Sequence, residues 1–472
     1  MKLGFTAASH AVLSIMAGWA ITVSAASAAT DPGVRPGVST GDPIAGLTAD
    51  QKTLFFLGQD NFAEKEDLGQ GLGPRFNLDS CEGCHSFPTH GGSSPPVNPQ
   101  ATVATALGAK NILPTFITAN GPIREARFKF TPSGARDGGV HSLFVISGRV
   151  DPGGDASKCT AIQEDFNTQF ARGNVSTRIP TPVFGDGLLE SIPDTTLVAN
   201  LAANAQQKSQ LGISGHFNTN GNDGRITRFG WKAQNVSLLV FAGEAYNVEM
   251  GITNENFQTE RDLNPTCQTA SVPNSVIGQN SLADADNVLA DIEKFAVYMR
   301  FIGAPIPSTT VPGGADSIAR GRQAFNSVGC AMCHTPSLKT SVNTTVAAFG
   351  NQTVALFSDL AVHHMGPTLA DNVIQGSAGP DEYRTAPLWG VGQRVFFLHD
   401  GRTSDLVQAI QLHASGSTGW GGRNDAAATT DATANWRGSS GTAPSEANRV
   451  IANFNGLSNA SQQDLLNFLR SL

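Results

Sequence analysis

Charge is scarce in this chain. Asp, Glu, Lys and Arg together make up 15% of 472 residues, against about a quarter in ordinary soluble proteins. The balance is acidic, with 31 basic against 39 acidic side chains and a net charge of −8. No long basic run offsets it, which argues against nucleic acid or an anionic membrane surface as a partner. Long apolar runs are missing as well. Beyond the N-terminus nothing approaches eighteen consecutive apolar residues, so no transmembrane segment is expected in the mature chain. Cysteine is limited to six residues. Glycine (51) and proline (25) are plentiful, which predicts much irregular backbone and few long surface helices.

The N-terminus has the pattern of an export signal. Lys2 precedes the apolar stretch "AVLSIMAGWAITV" (11–23), and "SAASAATD" (24–31) supplies small residues for cleavage near Ala28. The expectation is a signal peptide over 1–28 and a periplasmic or secreted protein, in a compartment that permits disulfides.

Four of the six cysteines fall into two short strings. "SCEGCHSFPTHGG" (80–92) holds Cys81, Cys84 and His85, and "CAMCH" (330–334) holds Cys330, Cys333 and His334. Two thiols separated by two residues can add across the vinyl groups of one haem, and the histidine that follows is then placed under the iron. A redox dithiol or a zinc knuckle would lack the adjacent histidine in each string. Two covalently bound c-type haems are therefore expected, with His85 and His334 as proximal ligands. The remaining pair, Cys159 and Cys267, is expected to form a disulfide.

Around these strings the apolar spacing predicts helices. They are 53–69, 237–251, 287–305 with Phe295 and Met299 on its apolar face, 315–328 with Gly321 and Phe325 inward, and 457–472 capped by Ser458. The stretch 141–150 reads as a strand, 303–314 as a Pro/Gly linker and 424–444 as a surface loop. The expected fold is mainly α with much irregular loop and a few short strands. Its expected organisation is an N-terminal haem domain with a large insertion over 29–302, the linker, and a C-terminal domain over 315–472. The last resembles a class I cytochrome c.

Several further strings resemble one family. They include "FGDGLLESIPD" (184–194), "GRITRFGWKAQ" (224–234), "FSDLAVHHMGPTLAD" (357–371), "RTAPLWGVG" (384–392) and "FLHDGRTSDLVQAIQLHASG" (397–416). With both CxxCH strings they are similar to the bacterial di-haem oxidoreductases often labelled thiol oxidoreductases. That group is related to di-haem cytochrome c peroxidases and, more loosely, to rubber-cleaving di-haem oxygenases. The resemblance implies two cytochrome-c-like haem domains facing each other. It also implies a peroxidase-like enzyme with one reactive and one electron-transfer haem, a soluble donor such as a small cytochrome or cupredoxin, and a small oxidant such as peroxide. A non-enzymatic electron-transfer cytochrome and a polyisoprenoid-cleaving oxygenase are the alternatives.

For the second haem, the resemblance points to His413 as sixth ligand, with Met365, His363 and His364 as rivals. His399, with Asp400 and Arg402, suits a brace for its turn or a propionate contact. For the first haem, His90, His141 and His216 are the histidines to consider, and an open iron at His85 is the other outcome. Glu125 and Glu190 are the first carboxylates to examine as distal acid or base. Each has a simpler reading, Glu125 in a surface ion pair and Glu190 as a backbone cap. Trp231 and Trp389 are placed between the haems by resemblance, and Lys232 is either a propionate contact or simply exposed.

Overall fold

In the computed structural model the described residues are Met1, 28–37, 40–278, 288–416 and 442–472. The stretch 1–28 expected to be a signal peptide, apart from its two end residues, and nearly all of the 424–444 stretch lie outside them. Five helices longer than ten residues organise the described chain: α1 (Ala49–Ala63), α2 (Leu238–Met250), α3 (Asp291–Phe301), α4 (Ala315–Val328) and α5 (Asn459–Ser471). The remainder is loop, short helical turns and strands of two to four residues.

Helix boundaries follow local chemistry. Thr48 and Gln51 form a reciprocal capping box that starts α1. Ser237 caps α2, and Gly251, at φ 76°, ends it in the left-handed conformation that glycine adopts without strain. Ser458 caps α5 through the Ser461 amide. α1 stops at Ala63, short of the expected 69, where Glu64 turns extended.

The stretch 141–150 is not one strand. Val140–His141 pairs with Ala126 and Arg127, Phe144–Val145 with Arg75–Phe76, and Val150–Asp151 with Gly154–Asp155. Gly148, at φ 87°, breaks the run, so its apolar residues are shared among three small ladders.

Two large apolar cores, with a small third cluster of Ala233, Val362 and Ala378, result among the described residues. The larger includes Phe55, Phe62, Phe76, Phe144, Tyr246, Phe295 and Tyr298. α1 and α3 cross so closely that a Cβ on Gly58 would lie 2.5 Å from the Lys294 carbonyl oxygen. The smaller core joins Phe325, Phe357, Phe397, Phe454, Leu466 and Phe468. There α4 and α5 cross at Gly321, where a Cβ would lie 1.9 Å from the Asp464 carbonyl oxygen. Leu338, Phe349, Val354 and Leu360 follow the second CxxCH string in sequence yet pack into the larger core. Cys159 and Cys267 are disulfide-bonded, closing a loop of 108 residues.

Candidate functional site

Each CxxCH string forms a tight helical turn. At the first, Ser80 Oγ accepts from the Gly83 amide at 3.1 Å, and the His85 amide donates to the Cys81 carbonyl at 3.0 Å. At the second, the His334 amide donates to Cys330 at 2.9 Å. A three-residue separation on a helical turn puts both sulfurs on one side. All four thiols are free. Cys81, Cys84 and His85 line one cavity of about 160 Å³. Cys330, Cys333 and His334 line a second of about 220 Å³.

The imidazoles are set for metal binding. Nδ1 of His85 faces the Gly92 carbonyl at 3.0 Å, Nδ1 of His334 the Phe357 carbonyl at 3.0 Å, and Nδ1 of His413 the Ala409 carbonyl at 2.7 Å. A carbonyl only accepts, so each Nδ1 carries the proton and each Nε2 keeps its lone pair. Burial drives His85 and His334 down to about 4, against backbone hydrogen bonds that include those to Gly92 and Phe357. Burial also lowers His413. All three are therefore neutral near pH 7, the form that ligates iron.

His413 lines the second cavity together with His334. Of its rivals, His363 is sandwiched between Glu446 at 2.8 Å and Asp359 at 3.1 Å, both ring nitrogens engaged. His364 is held by Asp381 and Glu382. Met365 lines the cavity. His399 also lines it, stacked on Tyr383 at 4.5 Å between centroids, and Arg402 closes the turn by pairing with Asp400 at 2.6 Å.

A haem fits these surroundings. Arg394, buried in the wall of the second cavity, leaves Nε and one terminal nitrogen without a partner among the described residues. A buried guanidinium without an anion is costly, and a haem propionate is an anion of the right kind. In the first cavity Gln234 Oε1 is buried without a donor among the described residues.

The first cavity differs in what surrounds it. His90 pairs with Glu82, His141 with Glu164 and Asp137, and His216 with Glu382. None of the three lines it. Among the described residues its wall holds no histidine besides His85, but it carries Glu125, Glu244, Glu249 and Gln234, together with Met250 and Met299. Glu125 is not a surface residue: its 2.6 Å pair with Arg127 is buried in this wall. Burial and the neighbouring Glu125 carboxylate push Glu249 well up, while burial of Glu125 is overcome by Arg127, which holds it down. One proton shared by the two carboxyls is the consequence.

Glu190 lies outside the cavity. It accepts from the Leu238 amide, capping α2, and pairs with Arg300 at 2.7 Å. Glu244, Glu249 and Gln234 are the polar residues that reading the sequence missed. Gln234 closes the string "GRITRFGWKAQ" (224–234), and Glu244 and Glu249 lie in the stretch 237–251 read as a helix.

Trp231 lines both cavities, its Nε1 donating to the Ile179 carbonyl at 2.8 Å. Trp389 lines neither and packs against Gly185. Lys232 is neither exposed nor in a cavity wall. Its ammonium is fully buried on the carbonyls of Gly379 and Glu382 and on Asp371 at 3.1 Å.

No curated protein matches the sequence. Among solved structures, a chain of Kuenenia stuttgartiensis hydrazine synthase, pressurised with xenon, is 17% identical, with a TM-score of 0.23. The match covers 39% of this chain and 56% of that one, so this chain spans little more than half of that relative's length. A MauG-like protein associated with microbial copper homeostasis is 15% identical over 62% of this chain and 91% of that chain, with a TM-score of 0.28. The family model described as "Di-haem oxidoreductase, putative peroxidase" matches residues 129–421. That span takes in Cys330, Cys333, His334 and His413, most of the residues that build the second cavity, and Gln234, Glu244 and Glu249 of the first. It covers more than half of the sequence, and the chain belongs to the di-haem oxidoreductase family.

Proposed function

We propose that the chain is an exported c-type cytochrome with peroxidase activity, holding one haem on Cys81, Cys84 and His85 and the other on Cys330, Cys333 and His334. Trp231 lines both cavities. The observation that carries this reading is the asymmetry between the cavities. The second offers His413 Nε2 in addition to His334. The first offers carboxyls and an amide.

Bound haem would supply the redox chemistry, with His85 holding the iron that would take the oxidant and His334 with His413 holding the one that would pass electrons. Reduction of peroxide to two waters consumes two electrons and two protons, and the protein supplies the protons. The carboxyl proton held between Glu125 and Glu249 would supply the first, and reprotonation of the pair from solvent the second. Gln234 Oε1 accepts a hydrogen bond from a protic ligand there. Apolar walls around Ile123, Val183 and Phe295 limit competing water. Trp231 lies between the sites, and a small cytochrome or cupredoxin is the donor that suits an exported acidic protein.

Mass spectrometry of protein matured in an exporting host should show two added porphyrins that survive denaturation. Paramagnetic resonance should show one high-spin and one low-spin ferric signal, and peroxide should drive oxidation of reduced cytochrome c. Met250 and Met299 in the first cavity support a second reading, a pure electron carrier. Two low-spin signals and no turnover would establish it instead. Thiol chemistry at Cys159 and Cys267 is disfavoured by their burial.

A further inference from the structure

Three tyrosines occur in the chain, all buried, and each hydroxyl has a different neighbour. Tyr298 faces the amide of Gln59. Tyr383 donates to the Leu369 carbonyl at 2.7 Å and lies 3.3 Å from His399 Nε2. Tyr246 alone meets carboxyls. It lines the first cavity, and its hydroxyl lies 2.7 Å from Glu66 Oε1 and 3.4 Å from Asp291 Oδ2. Glu66 is nearly inaccessible, whereas the Asp291 side chain is 28% exposed and has the Lys294 ammonium 3.4 Å away. The peroxidase reading does not use this cluster.

A phenol that loses an electron becomes a strong acid. Buried among Phe295 and the cavity wall, its cation is badly solvated unless the proton leaves at once. A carboxylate in hydrogen-bond contact is the acceptor such a step requires. We propose that Tyr246 is a redox-active side chain of the first cavity, giving one electron to the peroxide-oxidised haem site and its phenolic proton to the Glu66–Asp291 pair. The phenolic O–H bond breaks, a carboxyl O–H forms, the site is reduced by one equivalent, and a neutral tyrosyl radical remains. An electron arriving from the second haem, with return of the proton, restores the phenol. The inference rests on the peroxidase reading, since it takes peroxide as the oxidant.

The surroundings give the step a pH dependence. Burial holds Glu66 up to about 8, helped by the like charges of Asp291, Glu64 and Asp67 and opposed by the Tyr246 hydrogen bond. As pH rises through that value Glu66 becomes a free base, so radical formation should increase.

The test delivers oxidising equivalents to the ferric holoprotein in two ways, by hydrogen peroxide and by flash photo-oxidation with a ruthenium complex. Freeze-quenched samples are read by paramagnetic resonance. Expected is a tyrosyl signal that narrows when the protein is grown on ring-deuterated tyrosine. It should fall at least tenfold in Tyr246→Phe, persist in Tyr383→Phe, and lose its rise near pH 8 in Glu66→Gln. The optical spectra of both haems report that each variant is folded and loaded. A site inert to peroxide sinks the peroxidase reading and this inference with it, whereas a site that peroxide oxidises without a Tyr246 signal sinks this inference alone. A signal undiminished in Tyr246→Phe, or none under either oxidant, overturns the inference.

Discussion

His413 shows how much one side chain decides. Its Nδ1 is committed to the Ala409 carbonyl, leaving Nε2 as the only ring atom free to ligate. His413→Ala should convert the second haem from low-spin to a signal with an open or water-filled position, leaving His334 attachment intact. His413→Met should keep it low-spin and raise its reduction potential, because a thioether favours the ferrous state. Resonance spectra and potentiometric titration read both outcomes. Glu66 makes a different kind of prediction. Its ordinary value is 4.5, and in the folded chain it is raised to about 8. Between those values the unfolded chain has given up a proton that the folded chain retains. Its favourable contribution is therefore complete below about 4.5 and declines until about 8. Glu66→Gln cannot titrate. Relative to the parent it should gain stability across that window, by on the order of 5 kcal/mol in all, measured by chemical denaturation at pH 4.5 and 8.5. A difference independent of pH would contradict the assignment.

At the scale of elements, the closest approach is the crossing of α4 and α5. Gly321→Ala would improve intrinsic helix propensity by about 1 kcal/mol. The added Cβ would collide with the Asp464 carbonyl, which is backbone and cannot rotate away. Overpacking of this kind costs about 1–3 kcal/mol or more, so the sign is set by the clash. A lowered melting temperature with weakened retention of the second haem environment is the expected result. The same crossing explains which elements were readable beforehand. Ser237, Gly251, Ser458 and the Gly321/Phe325 face are local signals, and the helices they mark formed where expected. Residues 141–150 carry strand-like composition, but which partner each pair takes depends on chain segments far away. α2 hid its function for another reason. Its sequence is apolar nearly all round and reads simply as a buried helix, and only tertiary packing turns Glu244 and Glu249 toward a cavity. The CxxCH strings were legible because their residues are close together in sequence, whereas the groups that face them across each cavity are assembled from separate segments. Removing the Cys159–Cys267 bridge, which closes a long loop, should cost about 2–5 kcal/mol. Denaturation of the Ser/Ser variant would measure it.

For the whole molecule the central question is how two cavities act as one enzyme, and the packing around Trp231 bears on it. Its ring lines both walls, its Nε1 is fixed on Ile179, and its carbonyl accepts from the Arg384 amide at 2.9 Å. Beneath it, Arg178 of the first cavity wall pairs with Asp371 at 2.6 Å, Asp371 holds Lys232, and Lys232 lies 4.3 Å above the Tyr383 ring in the second. Buried charges tied in this way resist displacement, because breaking one pair strands another. The indole is therefore held in a rigid frame, the condition an electron conduit requires. Trp231→Phe keeps an aromatic bridge and should slow transfer between the haems modestly. Trp231→Leu removes it and should slow transfer at least tenfold while both optical spectra and the melting temperature stay close to the parent. Stopped-flow oxidation of the half-reduced protein by peroxide reads that rate directly. If Leu passes electrons as fast as Trp, the route runs elsewhere, and the stacked Tyr383–His399 pair becomes the segment to substitute next.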